Sequence, residues 1–143
     1  MKFILIALIA FISVLATPAK AQSVPSLIVH SFANAFPLAG QATWSSLSNL
    51  YRAEFLLDKE RRSAFFNQTG ELVVVTRYIP FHRLPKGLRN DLIKQFPNHT
   101  SVETLEVIND ESVDYYATVI EKNKTTILSS KYFGRWQEFR KSE

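Results

Sequence analysis

The chain has 143 residues with a formal net charge of +4, and Lys2 and Lys20 in its first twenty residues supply two of those charges. The remaining balance is close to neutral and forms no clustered basic stripe, which excludes a nucleic-acid partner. The sequence contains no cysteine, so thiolate chemistry is excluded and the fold must be held by packing alone.

Met1-Lys2 is followed by an apolar run from Phe3 to Ala16 and by Thr17-Pro-Ala-Lys-Ala21. One positive charge, an apolar core and small residues at Ala19 and Ala21 are the parts of a secretory signal peptide, expected to span residues 1–21. The run is short of the ~20 apolar residues that a membrane span requires. With no cysteine at the cleavage site, a lipoprotein anchor is excluded. Residues 22–143 then form a single domain, periplasmic or secreted, with no membrane span and a length ample for a core.

The first segment after the leader, Val24-Pro-Ser-Leu-Ile-Val-His-Ser-Phe-Ala-Asn-Ala-Phe-Pro37, returns sixty residues later as Leu84-Pro-Lys-Gly-Leu-Arg-Asn-Asp-Leu-Ile-Lys-Gln-Phe-Pro97. Pro25, Ile28, Phe32, Phe36 and Pro37 fall on Pro85, Leu88, Leu92, Phe96 and Pro97, which marks an internal repeat. A leading Pro is tolerated at a helix start, and apolar residues at i, i+4 and i+8 share one face. The second Pro ends the helix. Helices this short are marginal alone and need a sheet to lie on.

Strands are expected at Gln41 to Ser48, Leu50 to Leu57, Arg61 to Asn67 and Glu71 to Ile79, with turns at Ser48-Asn49, Asp58-Lys59 and Gln68-Thr-Gly70. Leu50 to Leu57 alternates Tyr51, Ala53, Phe55 and Leu57 with Arg52 and Glu54, the period of a strand with one wet face. Past the second helix the pattern recurs at Thr100 to Ile108, Val113 to Glu121 and Thr125 to Tyr132. Arg135 to Arg140 follows as an eighth, edge strand able to pair with another chain. Tyr51-Arg-Ala-Glu-Phe55 and Tyr116-Ala-Thr-Val-Ile120 take equivalent places in the two copies. The expected fold is α+β: two tandem helix-plus-strands units, about 24–80 and 84–141, forming one antiparallel sheet of seven or eight strands with both helices on one face. The other face is left to solvent or a partner.

The Pro25…Phe32…Phe36-Pro37 helix, Trp44, Tyr51-x-Ala53-x-Phe55, Ala64-x-Phe66, Gly70-x-Leu72, Arg77, Leu84-Pro85 and Tyr115-Tyr116 resemble the PepSY-like, beta-lactamase-inhibitor-protein-like family of secreted bacterial domains. The resemblance covers essentially the whole chain after the leader. It implies two tandem units in one antiparallel sheet and a non-enzymatic periplasmic or extracellular protein. In the namesake branch it implies an inhibitor that presents a concave sheet face to an enzyme. The chain departs from that inhibitor in lacking cysteines and in its shorter units, and no contact residue is carried over.

No catalytic constellation stands out. His30, His82 and His99 lack ligand spacing, the serines lie in no nucleophile elbow, and Glu103 with Glu106 and Asp110-Glu111-Asp114 read as solvated carboxylates. Neither a metal nor a cofactor is expected. The aromatic content, eleven Phe, five Tyr and two Trp, exceeds what a core requires. Tyr, Trp and Arg are enriched at binding hot spots, so Arg52, Arg77, Tyr78, Tyr116 and Trp136 are the expected contacts for an unidentified protein or peptide of the cell envelope. They are expected on the helix-free face with Arg62. The alternative is a small-ligand carrier with a pocket between helices and sheet; an envelope enzyme would need His or carboxylates converging in a cleft.

Overall fold

The computed structural model describes residues 23–131 and 134–139; the expected leader, residues 1–21, lies outside them. The described elements are helix α1 (Ser26–Ala35), strands β1 (Thr43–Leu47), β2 (Leu50–Leu57), β3 (Glu60–Asn67) and β4 (Leu72–Ile79), a 3-10 turn at Phe81–Arg83, helix α2 (Lys86–Gln95), and strands β5 (Ser101–Ile108), β6 (Val113–Glu121), β7 (Lys124–Lys131) and β8 (Gln137–Glu138). The strands form one eight-stranded antiparallel sheet in sequence order, the α+β architecture expected. Contacts divide the chain into two compact units. One holds the described residues up to Arg77 with Ile108–Glu111, the other Tyr78–Val107 and the described residues from Ser112 on.

The repeat holds at the level of backbone angles. Pro25 and Pro85 each precede a ten-residue helix, with φ and ψ of −55° and 140° and of −48° and 136°. Each proline keeps its fixed φ and lends its carbonyl to the first helical amides: Ile28 and Val29 donate to Pro25, Arg89 to Pro85. Phe36 and Phe96 close the helices at −132°, 65° and −129°, 66°, their amides donating to the Phe32 and Leu92 carbonyls. The chain then turns alike, Ala39 and His99 donating back to Phe36 and Phe96.

The two cores are chemically different. In the first unit Ile28 and Phe32 of α1 lie on Ala53, Phe55, Ala64 and Phe66. Phe32 alone meets Phe36, Trp44, Phe55 and Phe66 at ring-centroid distances of 5.6, 5.5, 5.0 and 6.4 Å, mostly edge to face, the arrangement that aromatic quadrupoles favour. In the second unit Leu88 and Leu92 of α2 lie on Ile79, Tyr115, Ala117, Val119, Leu128 and Trp136.

Turn chemistry sets the registers. Asp58 and Lys59 both have positive φ, as do Lys122 and Asn123, so each pair makes the two-residue hairpin turn that matches strand twist. These turns are 64 residues apart, not 60, because β5 ends one residue later in its copy than β1, the connection after it is two residues longer and β6 is one residue longer than β2. The structural match of Tyr51-x-Ala53-x-Phe55 is therefore Tyr115-x-Ala117-x-Val119, all helix-facing. Tyr116 takes the place of Arg52. This corrects the equivalence expected between Tyr51 and Tyr116, a one-residue slip that exchanges the two sheet faces.

The β3–β4 turn is built on Asn67, whose Oδ1 accepts from the Thr69 amide, the Thr69 hydroxyl and the Glu71 amide at 3.0, 2.7 and 2.9 Å, while its Nδ2 donates to Glu71. Gly70, at φ +83°, sits against α1: a Cβ there would lie 2.7 Å from Ser31 Oγ and 3.3 Å from Leu27 Cγ. Ser31 Oγ can swing aside, so the backbone angle dominates the cost. Gly70→Ala is expected to destabilise the protein by about 1–2 kcal/mol, read as a lower urea midpoint. Adding Ser31→Gly recovers only the steric part; full recovery would show that the angle costs nothing.

Candidate binding surfaces

In the first unit the β2–β3 register pairs Phe55 with Arg62 and Ala53 with Ala64, so Arg62 lies on the helix side. Arg62 pairs in turn with Arg77, which shares that side. Both reach Glu60, Arg77 at 2.8 Å and Arg62 at 3.4 Å. Their expected place on the helix-free face is thus corrected: β3 enters its hairpin at Glu60 in register with Leu57, which assigns even-numbered β3 residues to the helix side.

The helix-free face of this unit carries Arg52, Glu54 and Leu56 from β2, with Arg61, Ser63 and Phe65 opposite in β3. Arg52 forms an ion pair with Glu54 at 2.8 Å and donates from Nε to Ser63 Oγ at 3.3 Å. The face is not uniformly wet. Phe65 is 2% exposed, and Leu50, Val74 and Thr76 are buried with it. Opposite Phe65 and Phe66, β4 offers Val74 and Leu72, so Val73 is the extra residue of a bulge. The face opens towards the β2–β3 turn, where Leu56 is 57% exposed beside exposed Arg61. Leu56 was missed in the sequence, although β2 alternation already put it with Arg52 and Glu54.

In the second unit Tyr78 is 55% exposed, but Tyr116 is 5% and Trp136 3% exposed. Tyr116 points to the helix-free side, where the Phe139 ring covers it edge-on at 5.6 Å. Trp136 belongs to the helix-side core. Its indole Nε1 donates to the Leu88 carbonyl at 2.7 Å, its amide donates to Asp91 Oδ2 at 2.9 Å, and its carbonyl accepts from Gln95 at 3.2 Å. Both residues are corrected from surface contacts to packed ones, and the reason is one segment: residues 134–139 fold back over the unit. An open groove of about 720 Å3 runs where this segment meets α2, lined by Asn90, Asp91, Lys94, Gln95 and Arg135.

Glu106 is buried and accepts from the Tyr115 hydroxyl at 3.2 Å. His99 Nδ1 lies 2.6 Å from the Phe96 carbonyl. Among the described residues no cluster of His, Cys, Asp and Glu is grouped to hold a metal ion, and no helix is long and apolar enough to cross a membrane. Between α1 and its strands the rings of Phe32, Phe36, Trp44, Phe55 and Phe66 occupy the space a carried ligand would need.

No family model and no curated protein matches the chain. Solved structures do. A DUF2874 family protein from Bacteroides ovatus matches with a TM-score of 0.70 at 19% identity, over 78% of this chain and 82% of that one. A protein from Bacteroides eggerthii, whose name proposes a periplasmic location, matches with a TM-score of 0.74 at 17% identity, over 82% and 90%. A BLIP-like protein from Bacteroides fragilis matches with a TM-score of 0.63 at 14% identity, over 82% and 87%. The fold is therefore of the BLIP-like kind, the architecture that the sequence resemblance implied.

Burial, followed by the nearby charge of Asp114, pushes the Tyr116 hydroxyl from 10.0 up to about 12. A raised pKa means that the folded state holds this proton more tightly than the unfolded chain. The stabilisation is complete below pH 10 and is lost as the pH climbs through about 12. Melting temperatures across that window are expected to fall less steeply in Tyr116→Phe than in the wild type. Parallel curves would show that Tyr116 does not drive the alkaline limb.

Proposed function

We propose that this protein is a non-enzymatic binding module of the bacterial cell envelope, exported by its leader, that docks a protein or peptide on the helix-free side of its sheet. The observation that carries this reading is the open end of that side in the first unit. Leu56 stands exposed there beside Arg61 and the Arg52–Glu54 pair. Arg52 and Arg61 are of the residue type enriched at binding hot spots, and Leu56 adds an apolar contact beside them. Likeness to a BLIP-like protein and to a protein named for the periplasm supports both the mode and the compartment. In this reading Arg52 contributes directly, whereas Arg77, Tyr116 and Trp136 take no part in the contact. Tyr78 is a second exposed contact.

The carrier reading gains no support from the first unit, whose helix–sheet space is filled by rings. Inhibition of an enzyme is one outcome of docking, and it requires the partner to be an enzyme with an accessible active site.

A photo-crosslinking residue placed at Leu56 in native cells is expected to capture a discrete adduct in the osmotic-shock fraction. The same residue at Leu27, exposed on α1, is expected to capture none. Adducts from Leu27 alone, or from neither position, would overturn the sheet-side surface. Retention of the chain in the cytoplasm with residues 1–21 attached would overturn the compartment.

A further inference from the structure

We propose that the open groove between α2 and residues 134–136 binds a small organic carboxylate. Five of its lining residues, Gly87, Asn90, Asp91, Lys94 and Gln95, recur at i, i+3, i+4, i+7 and i+8 and so form one stripe of α2. Arg135 lines the other wall. The volume, about 720 Å3, falls within the ~300–1,000 Å3 of small-molecule sites. All of these residues belong to the second unit.

The internal repeat shows how the groove arises. Gly87 falls on Leu27 of the first copy. There the leucine reaches the β3–β4 turn, where a Cβ on Gly70 would stand 3.3 Å from its Cγ. At Gly87 a Cβ would meet nothing within 4 Å, and the residue has ordinary helical backbone. Neither packing nor backbone angle therefore calls for glycine, a poor helix former. What it provides is close approach to the α2 backbone. The rest of the stripe changes with it: the first copy has no Asp, Glu, Lys or Arg at these positions, the second has Asp91 and Lys94.

The charges indicate the ligand. Asp91 is already engaged, its Oδ2 accepting from the Trp136 amide and from Gln95 Nε2, both at 2.9 Å. Lys94 and Arg135 are exposed and have no ion-pair partner among the described residues. Lys94 also stands in the last turn of α2, where a cation is favoured; Arg135 has no such reason for its place. Two cations against one carboxylate leave one positive charge, which suits a singly charged carboxylate better than a doubly charged phosphate. A guanidinium takes a carboxylate through two parallel hydrogen bonds, and Asn90 offers a donor and an acceptor to the ligand's other polar groups.

The wall that carries Arg135 is held on both sides of that residue. Ser130 Oγ donates to the Gly134 carbonyl at 2.8 Å, and Trp136 is tied to Asp91 through its amide and to Gln95 through its carbonyl. The backbone is fixed before a ligand arrives, which lowers the cost of binding. The site lies on α2, so this inference is independent of the proposed docking on the helix-free side.

The probes are N-acetylglycine, its uncharged amide N-acetylglycinamide and inorganic phosphate, each titrated at constant ionic strength into the 15N-labelled protein. N-acetylglycine is expected to shift the amide signals of Gly87 to Gln95 and of residues 134–136 saturably, the uncharged amide to leave them in place, and phosphate to bind more weakly. Lys94→Ala and Arg135→Ala are each expected to weaken N-acetylglycine binding about tenfold, the worth of one charge-assisted hydrogen bond. Gly87→Leu, folded by circular dichroism, is expected to abolish binding by filling the groove as Leu27 does in the first copy. No saturable shift with N-acetylglycine, equal shifts with its amide, or phosphate binding as tight would each overturn the proposal. So would affinity that survives in Gly87→Leu or in the Lys94→Ala, Arg135→Ala double variant.

Discussion

The constraint on which this structure depends is that neither helix can exist without its sheet. Ten residues give a helix of about 15 Å, below the length at which an isolated helix holds in water. Each has one apolar face, anchored by Ile28 and Phe32 in α1 and by Leu88 and Leu92 in α2. The bounding prolines fix where helix begins and ends, so the apolar face reaches the strands in one phase only. Pro25 and Pro85 need no side-chain cap, since their carbonyls serve the first turn and their missing amides cost nothing there.

The same backbone plan is then filled in two ways. Around Phe32 the first unit packs rings edge to face, with Ala53 and Ala64 beneath as the small residues that let large ones fit. Position for position, the second unit has Leu92, Ala117 and Leu128, an aliphatic core that ends in Trp136 from the C-terminal segment. The apolar pattern is kept between the copies while the side-chain shapes are not, which is what cores tolerate. The four-residue separation of β5 from β6 costs little because it falls in a turn, where added length is cheap.

The repeat, the element order and every hairpin were legible in the sequence because they rest on local chemistry: proline spacing, period-two alternation and residues able to take positive φ. The surface was legible only in part. Phe65-Phe66 and Tyr115-Tyr116 are adjacent pairs in which both members are buried, so alternation cannot say which member faces a helix. Tyr51 was matched with the second tyrosine of Tyr115-Tyr116 rather than the first, a choice that alternation does not decide. Trp136 was unreadable for a different reason: its partners Leu88, Asp91 and Gln95 lie more than forty residues away, and no local pattern encodes such a contact. Arg52 and Leu56 were readable, since β2 alternates cleanly along its length.

The segment 134–139 closes both sides of the second unit. There Trp136 fills the core under α2 and Phe139 lies over Tyr116, so the unit's own tail occupies both sides of its sheet. Its closing strand is reduced to two residues by the same fold-back. The first unit has no such tail among its described residues. The Leu56 end of its helix-free side stays open, although the interior of that side is sealed by Phe65 and Val74.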